Sequence, residues 1–179
     1  MKQKNLYLLV GPPASGKSTF LKKTMPLMEK ARAISRDEIR FALVAEDEPY
    51  FSREDEVFEC FLNEIRSSLN ENDHTFVDAT HINEGSRKKI LRRINTKNVN
   101  VYCLVFNTPL DICLQRNYLR DGRRQVPEDA IRRMKESMTN PANDRFIKYD
   151  CIYYFNEDGE SYKINKATKE VKENDLFLF

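Results

Sequence analysis

Short apolar runs alternate with amphipathic segments along the first 155 residues of the chain. Such short runs, bounded by polar or turn-forming residues, are typical of strands buried on both faces of a sheet. The pattern predicts strands at residues 5–10, 31–35, 75–77, 99–106 and 151–155, and helices at 18–30, 52–69, 83–94, 109–119 and 127–138. Strands separated by helices imply a parallel sheet covered on both faces, which is a three-layer α/β fold.

Capping and turn residues set the boundaries of several of these elements. Ser52 is predicted to cap the long helix, with Asp55 as its capping-box partner. Asn83 is predicted to cap the basic helix that follows the third strand, and Pro127 stands in the first turn of the last helix. The Asn-Glu-Asp-Gly turn at 156–159 predicts a hairpin into residues 161–164.

Length and composition restrict the class of protein. With 179 residues, 40% of them hydrophobic, the chain is predicted to form a single domain, 1–179, with its core at about 1–155 and a hairpin and tail at about 156–179. No apolar run approaches the ~20 residues of a membrane-spanning helix, so no membrane partner is expected. The four cysteines are widely spaced, which favours reduced core thiols and a cytoplasmic location. The apolar end, 176–179, is predicted to cover the sheet edge, and a homo-oligomer is left open.

Charge is distributed unevenly along the chain, although the net charge is only +2. Residues 36–59 carry nine acidic and three basic side chains, whereas residues 84–135 carry thirteen basic and five acidic ones. This split suits a phosphate-rich ligand bound through the basic region. Solvated helix faces are the alternative explanation for any one of these residues.

The strongest chemical signal is the segment GPPASGKS, which follows the first predicted strand and precedes the first predicted helix. It satisfies the phosphate-binding pattern G-x-x-x-x-G-K-[ST], in which backbone N–H groups and a helix N-terminus attract phosphate. Lys17 is predicted to reach the β- and γ-phosphates of ATP, and the Ser18 hydroxyl to join the shell of Mg²⁺. The predicted nucleotide contacts in this loop are Gly11, Ala14, Ser15, Gly16, Lys17, Ser18 and Thr19.

Three further groups of residues favour a small phosphotransferase. Asp37 follows the second strand and can take a proton from an acceptor hydroxyl, while Arg40 can hold a substrate phosphate. The alternative is an Asp37 that caps its helix and pairs with Arg40. Asp78, at the end of the third strand, is a weak Walker B candidate. Arg116 and Arg120 are four residues apart, so on one helix they would point the same way and could stabilise a transferred phosphoryl group; a solvated basic helix end is the alternative.

Taken together, five segments of the chain resemble the polynucleotide 5′-hydroxyl kinase family, the kinase modules of phage and bacterial end-healing enzymes. The segments are GPPASGKST, SRDEIR, FVDATHINEGSRKK, LVFNTP and CLQRNYLRDGRRQVPEDAIRRM. The resemblance spans about residues 5–138 and implies an adenylate-kinase-like P-loop core with sheet order 2-3-1-4-5. It also implies roles for individual residues. Asp37 would be the general base, Arg40 would bind an acceptor phosphate, Asp78 and Thr80 would shape the acceptor pocket, and the arginines Arg116, Arg120 and Arg124 would engage the donor.

The chain departs from the family in two places. His81 stands where the family commonly has Asn, and we expect it to be a polar loop residue. The stretch between Arg120 and Val126 is slightly longer, so the choice of lid arginine among Arg120, Arg123 and Arg124 stays open.

The leading hypothesis is transfer of the ATP γ-phosphate to a 5′-OH end of RNA or DNA. The alternatives are a kinase of a small molecule, such as a nucleoside, sugar nucleotide or antibiotic, and a nucleotide-binding regulatory module without an acceptor.

Overall fold

The computed structural model describes the backbone of residues 3–164 and 171–173 and the side chains of residues 3–161. The strands are β1 (Lys4–Val10), β2 (Ala31–Ser35), β3 (His74–Asp78), β4 (Val99–Phe106), β5 (Cys151–Phe155), β6 (Ser161–Ile164) and β7 (Val171–Glu173). The helices are α1 (Lys17–Thr24), α2 (Arg36–Leu43), α3 (Glu54–Glu71), α4 (Glu84–Leu91), α5 (Leu110–Tyr118) and α6 (Glu128–Glu136). Three-residue 3₁₀ turns lie at Met25–Leu27, Gly122–Arg124 and Pro141–Asn143.

The strands form one sheet in the order β2-β3-β1-β4-β5-β6-β7. Its first five strands are all parallel, which confirms the predicted order 2-3-1-4-5. β6 pairs antiparallel with β5, as the turn signal predicted, and β7 extends the sheet by one more antiparallel strand. The apolar end at 176–179, predicted to cover the sheet edge, lies outside the described residues.

Two apolar layers cover the sheet, because alternate residues of each strand point to opposite faces. On β1, Leu6 and Leu8 face a large cluster that includes Phe61 and Ile65 of α3. The intervening residues, Tyr7 and Leu9, face a smaller cluster. This arrangement confirms the α/β architecture and places the functional loops at the carboxyl edge of the parallel strands.

Several helix boundaries differ from the prediction, those of α3 and α1 among them. α3 begins at Glu54, and Ser52 is not its cap, because the Ser52 hydroxyl donates to the Glu48 carboxylate at 3.3 Å. α1 ends at Thr24, since Pro26 has no N–H for a further helical turn and a 3₁₀ turn takes its place. The Asn83 cap is confirmed, with Ser86 completing a capping box.

The cysteines match the expectation of reduced thiols. All four are free, and Cys103, Cys113 and Cys151 are buried. In the part of the chain that the structure describes, no helix has both the length and the apolar character needed to cross a membrane.

Candidate active site

The glycine-rich loop joins the central strand β1 to α1 and is held from two sides. The Gly11 N–H donates to the Thr80 carbonyl at 2.9 Å, and the Thr108 hydroxyl donates to the Ser15 carbonyl at 2.7 Å. A Cβ on Gly11 would lie 2.9 Å from the Phe106 carbonyl oxygen, so this position has no room for a side chain. Gly16, at the N-cap of α1, has a φ of 105°, which favours glycine.

Lys17 is the first residue of α1, and its side chain folds back over the loop. The ammonium donates to the carbonyls of Gly11 and Pro12, both at 2.8 Å. Burial lowers the pKa of Lys17, and the carboxylates of Asp78 and Asp37 oppose that effect. Ser18 and Thr19 follow in the first turn of the helix, where both are exposed.

Asp78 ends β3 beside the loop, and its carboxylate interacts with the same group of charges. Burial raises the pKa of Asp78, Lys17 lowers it, Asp37 raises it and Arg120 lowers it. Lys17 on α1, Asp37 on α2, Asp78 on β3 and Arg120 in the loop after α5 are therefore close enough to act on one another's charge. We call the region around these four side chains the site mouth.

Asp37 lies in the first turn of α2, with a side chain that is 66% exposed. The helix is capped by Ser35, which accepts the Glu38 N–H at 3.4 Å, so the alternative of an N-capping Asp37 is wrong. The same alternative also paired Asp37 with Arg40. That pair is present, because Arg40 Nη1 donates to Asp37 Oδ1 at 2.8 Å.

Arg40 lies in a buried cluster under Asp37, and its side chain is only 5% exposed. Its Nη2 donates to both carboxylate oxygens of Glu54 at 2.9 Å, and its Nη1 also donates to the Tyr50 hydroxyl at 3.1 Å. The guanidinium stacks on the ring of Tyr50, with its carbon 4.6 Å from the ring centroid. Both terminal nitrogens of Arg40, Nη1 and Nη2, therefore donate to side chains of the protein itself. Neither Tyr50 nor Glu54 was singled out from the sequence.

The arginines in and after α5 separate into two groups. The helix ends at Tyr118, so Arg120 does not follow Arg116 on a common helix face, contrary to the prediction. Arg116 lies beside the loop, with Nη1 3.9 Å from the place of a Cβ on Gly16, and its Nη2 donates to the Glu157 carbonyl at 2.8 Å. Arg120 interacts electrostatically with Asp37 and Asp78, and burial lowers its pKa.

Arg123 and Arg124 bind to helix α2 and to the residue that follows it. Arg123 Nη1 donates to the Val44 carbonyl at 2.9 Å, and its guanidinium lies 5.0 Å from the Phe41 ring centroid. Arg124 pairs with Glu38 at 2.8 Å. Of the three candidates for the lid arginine, Arg120 is the one that lines the site mouth.

His81 lies in the loop between β3 and α4, as predicted, and it is buried there. It is 3% exposed, has a φ of 43°, and its Nδ1 lies 2.8 Å from the Leu9 carbonyl at the end of β1. Burial lowers its pKa to about 4, so the ring is neutral at physiological pH. Its Nδ1 therefore carries the proton and donates to Leu9. No local sequence signal marks this burial.

A glycine-rich loop with its lysine at a helix start, set at the carboxyl edge of a parallel sheet of order 2-3-1-4-5, defines a P-loop kinase-like, nucleotide-binding domain. The chain belongs to the AAA_33 family, whose AAA domain matches residues 6–141. No curated protein sequence matches the chain significantly.

Solved structures share this fold at low sequence identity. A chain of the Pnkp1/Rnl/Hen1 RNA repair complex matches with a TM-score of 0.67 at 21% identity, over 76% of this chain and 44% of that chain. A structure of the PezAT toxin–antitoxin system of Streptococcus pneumoniae matches with a TM-score of 0.60 at 17% identity, over 91% and 73% of the two chains. A gluconokinase from Sinorhizobium meliloti 1021 matches with a TM-score of 0.53 at 13% identity, over 87% and 84%. The chain thus spans less than half of the RNA-repair chain that it matches.

Proposed function

We propose that the protein is an ATP-dependent kinase that transfers the γ-phosphate to the 5′-OH end of RNA or DNA. The observation that carries the proposal is the convergence of Lys17, Asp37, Asp78 and Arg120 on the site mouth. The likeness of the fold to a chain of an RNA repair complex and the resemblance of the motifs to polynucleotide kinases support the same acceptor.

On the donor side, the loop backbone and Lys17 bind the phosphates of ATP. The lysine then exchanges the Gly11 and Pro12 carbonyls for phosphate oxygens. Arg120, whose charge acts on Asp37 and Asp78, meets the charge of the transferred group, with Arg116 beside the loop and Arg124 further out, paired with Glu38 of α2.

Mg²⁺ fits the donors on this side of the mouth. Ser18 presents an exposed hydroxyl at the start of α1, and Asp78 supplies a carboxylate close to Lys17. Hard oxygen ligands of this kind suit Mg²⁺, which keeps most of its shell for phosphates and water. When bound, the ion neutralises negative charge on the donor phosphates.

Asp37 acts as the general base on the acceptor side. Its exposed carboxylate takes the proton of the 5′ hydroxyl as that oxygen forms a bond to the γ-phosphorus, while the bond to the β,γ-bridging oxygen breaks and ADP leaves. The proton passes from Asp37 to solvent. Asp78 and Thr80, at the end of β3, form the wall of the acceptor pocket.

A small-molecule acceptor is the second candidate, and the ion pairs of the basic region favour it. Within residues 84–135, Arg87, Arg93, Arg124 and Arg132 each pair with a carboxylate of the protein. Arg87 is buried, and at the other three a nucleic-acid phosphate would compete with a carboxylate of the protein.

The test measures transfer of label from γ-labelled ATP, with Mg²⁺, to 5′-OH oligonucleotides of RNA and DNA. We expect wild type to label the 5′ end and Asp37→Asn to lose about 10²- to 10⁴-fold in rate, the range of general-base catalysis. Asp129→Asn is the matched control, because Asp129 is an exposed aspartate at the same position in the first turn of α6.

Two results would contradict the proposal. If wild type hydrolyses or binds ATP but labels no oligonucleotide, the acceptor is wrong, and small hydroxyl compounds are to be tested in the same assay. If Asp37→Asn and Asp129→Asn label the oligonucleotide at equal rates, Asp37 is not the base.

A further inference from the structure

We infer that Tyr50 is a positioning residue for the candidate base, and that its hydroxyl fixes the Asp37 carboxylate so that Oδ2 is the oxygen presented to the acceptor. This inference rests on the proposed function. Tyr50 belongs to the connection between α2 and α3, outside every motif that the sequence pointed to.

The Asp37 carboxylate is held through one of its two oxygens. Oδ1 accepts hydrogen bonds from Arg40 Nη1 at 2.8 Å and from the Tyr50 hydroxyl at 3.1 Å. Arg40 Nη1 also donates to the Tyr50 oxygen at 3.1 Å, so the three groups form a closed triangle. With Oδ1 bound twice on the protein side, the other oxygen of this exposed carboxylate is the one available to a hydroxyl.

Neighbouring groups of the protein hold Arg40 and Tyr50 in place. Glu54, in the first turn of α3, binds Arg40 through both carboxylate oxygens at 2.9 Å and also accepts Arg36 Nη2 at 2.6 Å. The turn that carries Tyr50 is closed by the Ser52 N–H, which donates to the Pro49 carbonyl at 2.9 Å. The Tyr50 ring packs edge-on against Phe51, with centroids 4.8 Å apart. Tyr50 therefore approaches Asp37 from a fixed direction.

The direction of the hydrogen bond follows from the protonation of Tyr50. Burial raises the pKa of Tyr50, and the Asp37 carboxylate raises it further. The phenol therefore keeps its proton at neutral pH and donates it to Oδ1. Arg40 donates to the same oxygen from a charged group, whereas the neutral Tyr50 hydroxyl donates a second hydrogen bond that orients the carboxylate.

The experiment compares Tyr50→Phe with wild type in the oligonucleotide kinase assay. The substitution keeps the ring on Arg40 and removes only the hydroxyl. We expect kcat to fall about 5- to 50-fold with the KM for ATP unchanged, since loss of alignment at a reacting group costs rate up to ~10²-fold. Tyr118→Phe is the matched control, because Tyr118 is 80% exposed at the end of α5.

A second comparison separates positioning from a structural role. If Tyr50 acts through the carboxylate, Tyr50→Phe costs nothing further in the Asp37→Asn background, whereas a structural defect lowers both backgrounds by the same factor. Equal losses in the two backgrounds would overturn the inference, as would a kcat for Tyr50→Phe equal to that of wild type; either result leaves the proposed function standing. Absence of transfer by wild type would overturn both.

Discussion

Lys17 shows how a single side chain is prepared for an anionic ligand. Its ammonium is buried and held by two backbone carbonyls of its own loop, so it needs no carboxylate of the protein as a direct partner. A phosphate that enters the loop replaces two neutral acceptors by charged ones, and charge-assisted hydrogen bonds are the stronger kind. Nucleotide binding is therefore an exchange of partners, with the lysine already in place.

His81 should make the stability of the protein depend on pH. Folding lowers its pKa from 6.5 to about 4, so between these values the unfolded chain binds a proton that the folded chain does not. The contribution of the neutral, buried ring to the free energy of unfolding is fully present above pH 6.5 and is lost as pH falls towards 4. The expected loss is on the order of 3 kcal/mol, and it is measured by urea unfolding at pH 7 and at pH 4.5.

The matched variant is His81→Asn, because Asn tolerates the φ of 43° at this position. Its unfolding free energy should fall less than that of wild type between the two pH values. Parallel decreases in the two proteins would show that groups other than His81 cause the whole effect.

At the residue scale, the sequence singled out candidates where they belong to a contiguous motif. Lys17 and Asp37 were singled out because their motifs follow predicted strands, and the carboxyl ends of parallel strands meet at one edge of the sheet. Tyr50 and the burial of His81 were missed because they depend on which parts of the chain fold back onto Arg40 and onto the end of β1. Neither contact leaves a periodic signal in the sequence.

Among the elements, α4 is tied to the following part of the chain by a buried ion pair. Arg87 is fully buried and binds Asp144 through Nε and Nη2 at 2.8 and 2.6 Å. It also donates to the Thr139 hydroxyl and to the His81 carbonyl, and the Tyr149 hydroxyl donates to Asp144 at 2.7 Å. The network holds the segment 139–149 against the helix, so Arg87 is structural and belongs to no ligand surface.

Arg87→Met should therefore destabilise the protein by about 3–5 kcal/mol, because it leaves Asp144 buried without a counter-charge. Arg87→Met/Asp144→Leu, which removes both charges, should lose less than the single variant. Arg93→Met is the control, since its pair with Glu59 is about half exposed and should be worth under ~1 kcal/mol. Urea unfolding measures all three. A double variant that is less stable than Arg87→Met would contradict this account.

Element boundaries were predicted with different success for strands and helices. The predicted ends of β1 to β5 lie within one residue of those observed, because a buried parallel strand is a continuous apolar run between polar residues. Helix ends depend on side-chain partners. Asn83 has its partner three residues away, whereas Ser52 binds Glu48, which precedes it and lies outside any capping pattern.

At the scale of the whole molecule, the charge distribution makes a prediction about salt. Arg87, Arg93, Arg124 and Arg132 are ion-paired, and we expect an oligonucleotide acceptor to make two or three phosphate contacts through other basic residues of region 84–135. The logarithm of kcat/KM for the oligonucleotide should then fall with the logarithm of salt with a slope of about −1.5 to −2, from ~0.7 per single-strand phosphate. A slope near zero would contradict phosphate contacts and favour a small acceptor. The KM for ATP, measured in the same series, is the control.

The central position of β1 has a consequence for synthesis of the chain. β1 pairs with β3 and β4, so its second partner is complete only when Phe106 has been made. Translation adds ~5–20 residues per second, and the wait of about 100 residues therefore lasts roughly 5–20 s. During that time the sheet that buries the apolar residues Leu6, Leu8 and Val10 in the finished fold is incomplete. The interval in which a nascent chain can aggregate or recruit a chaperone is thus set by the strand order.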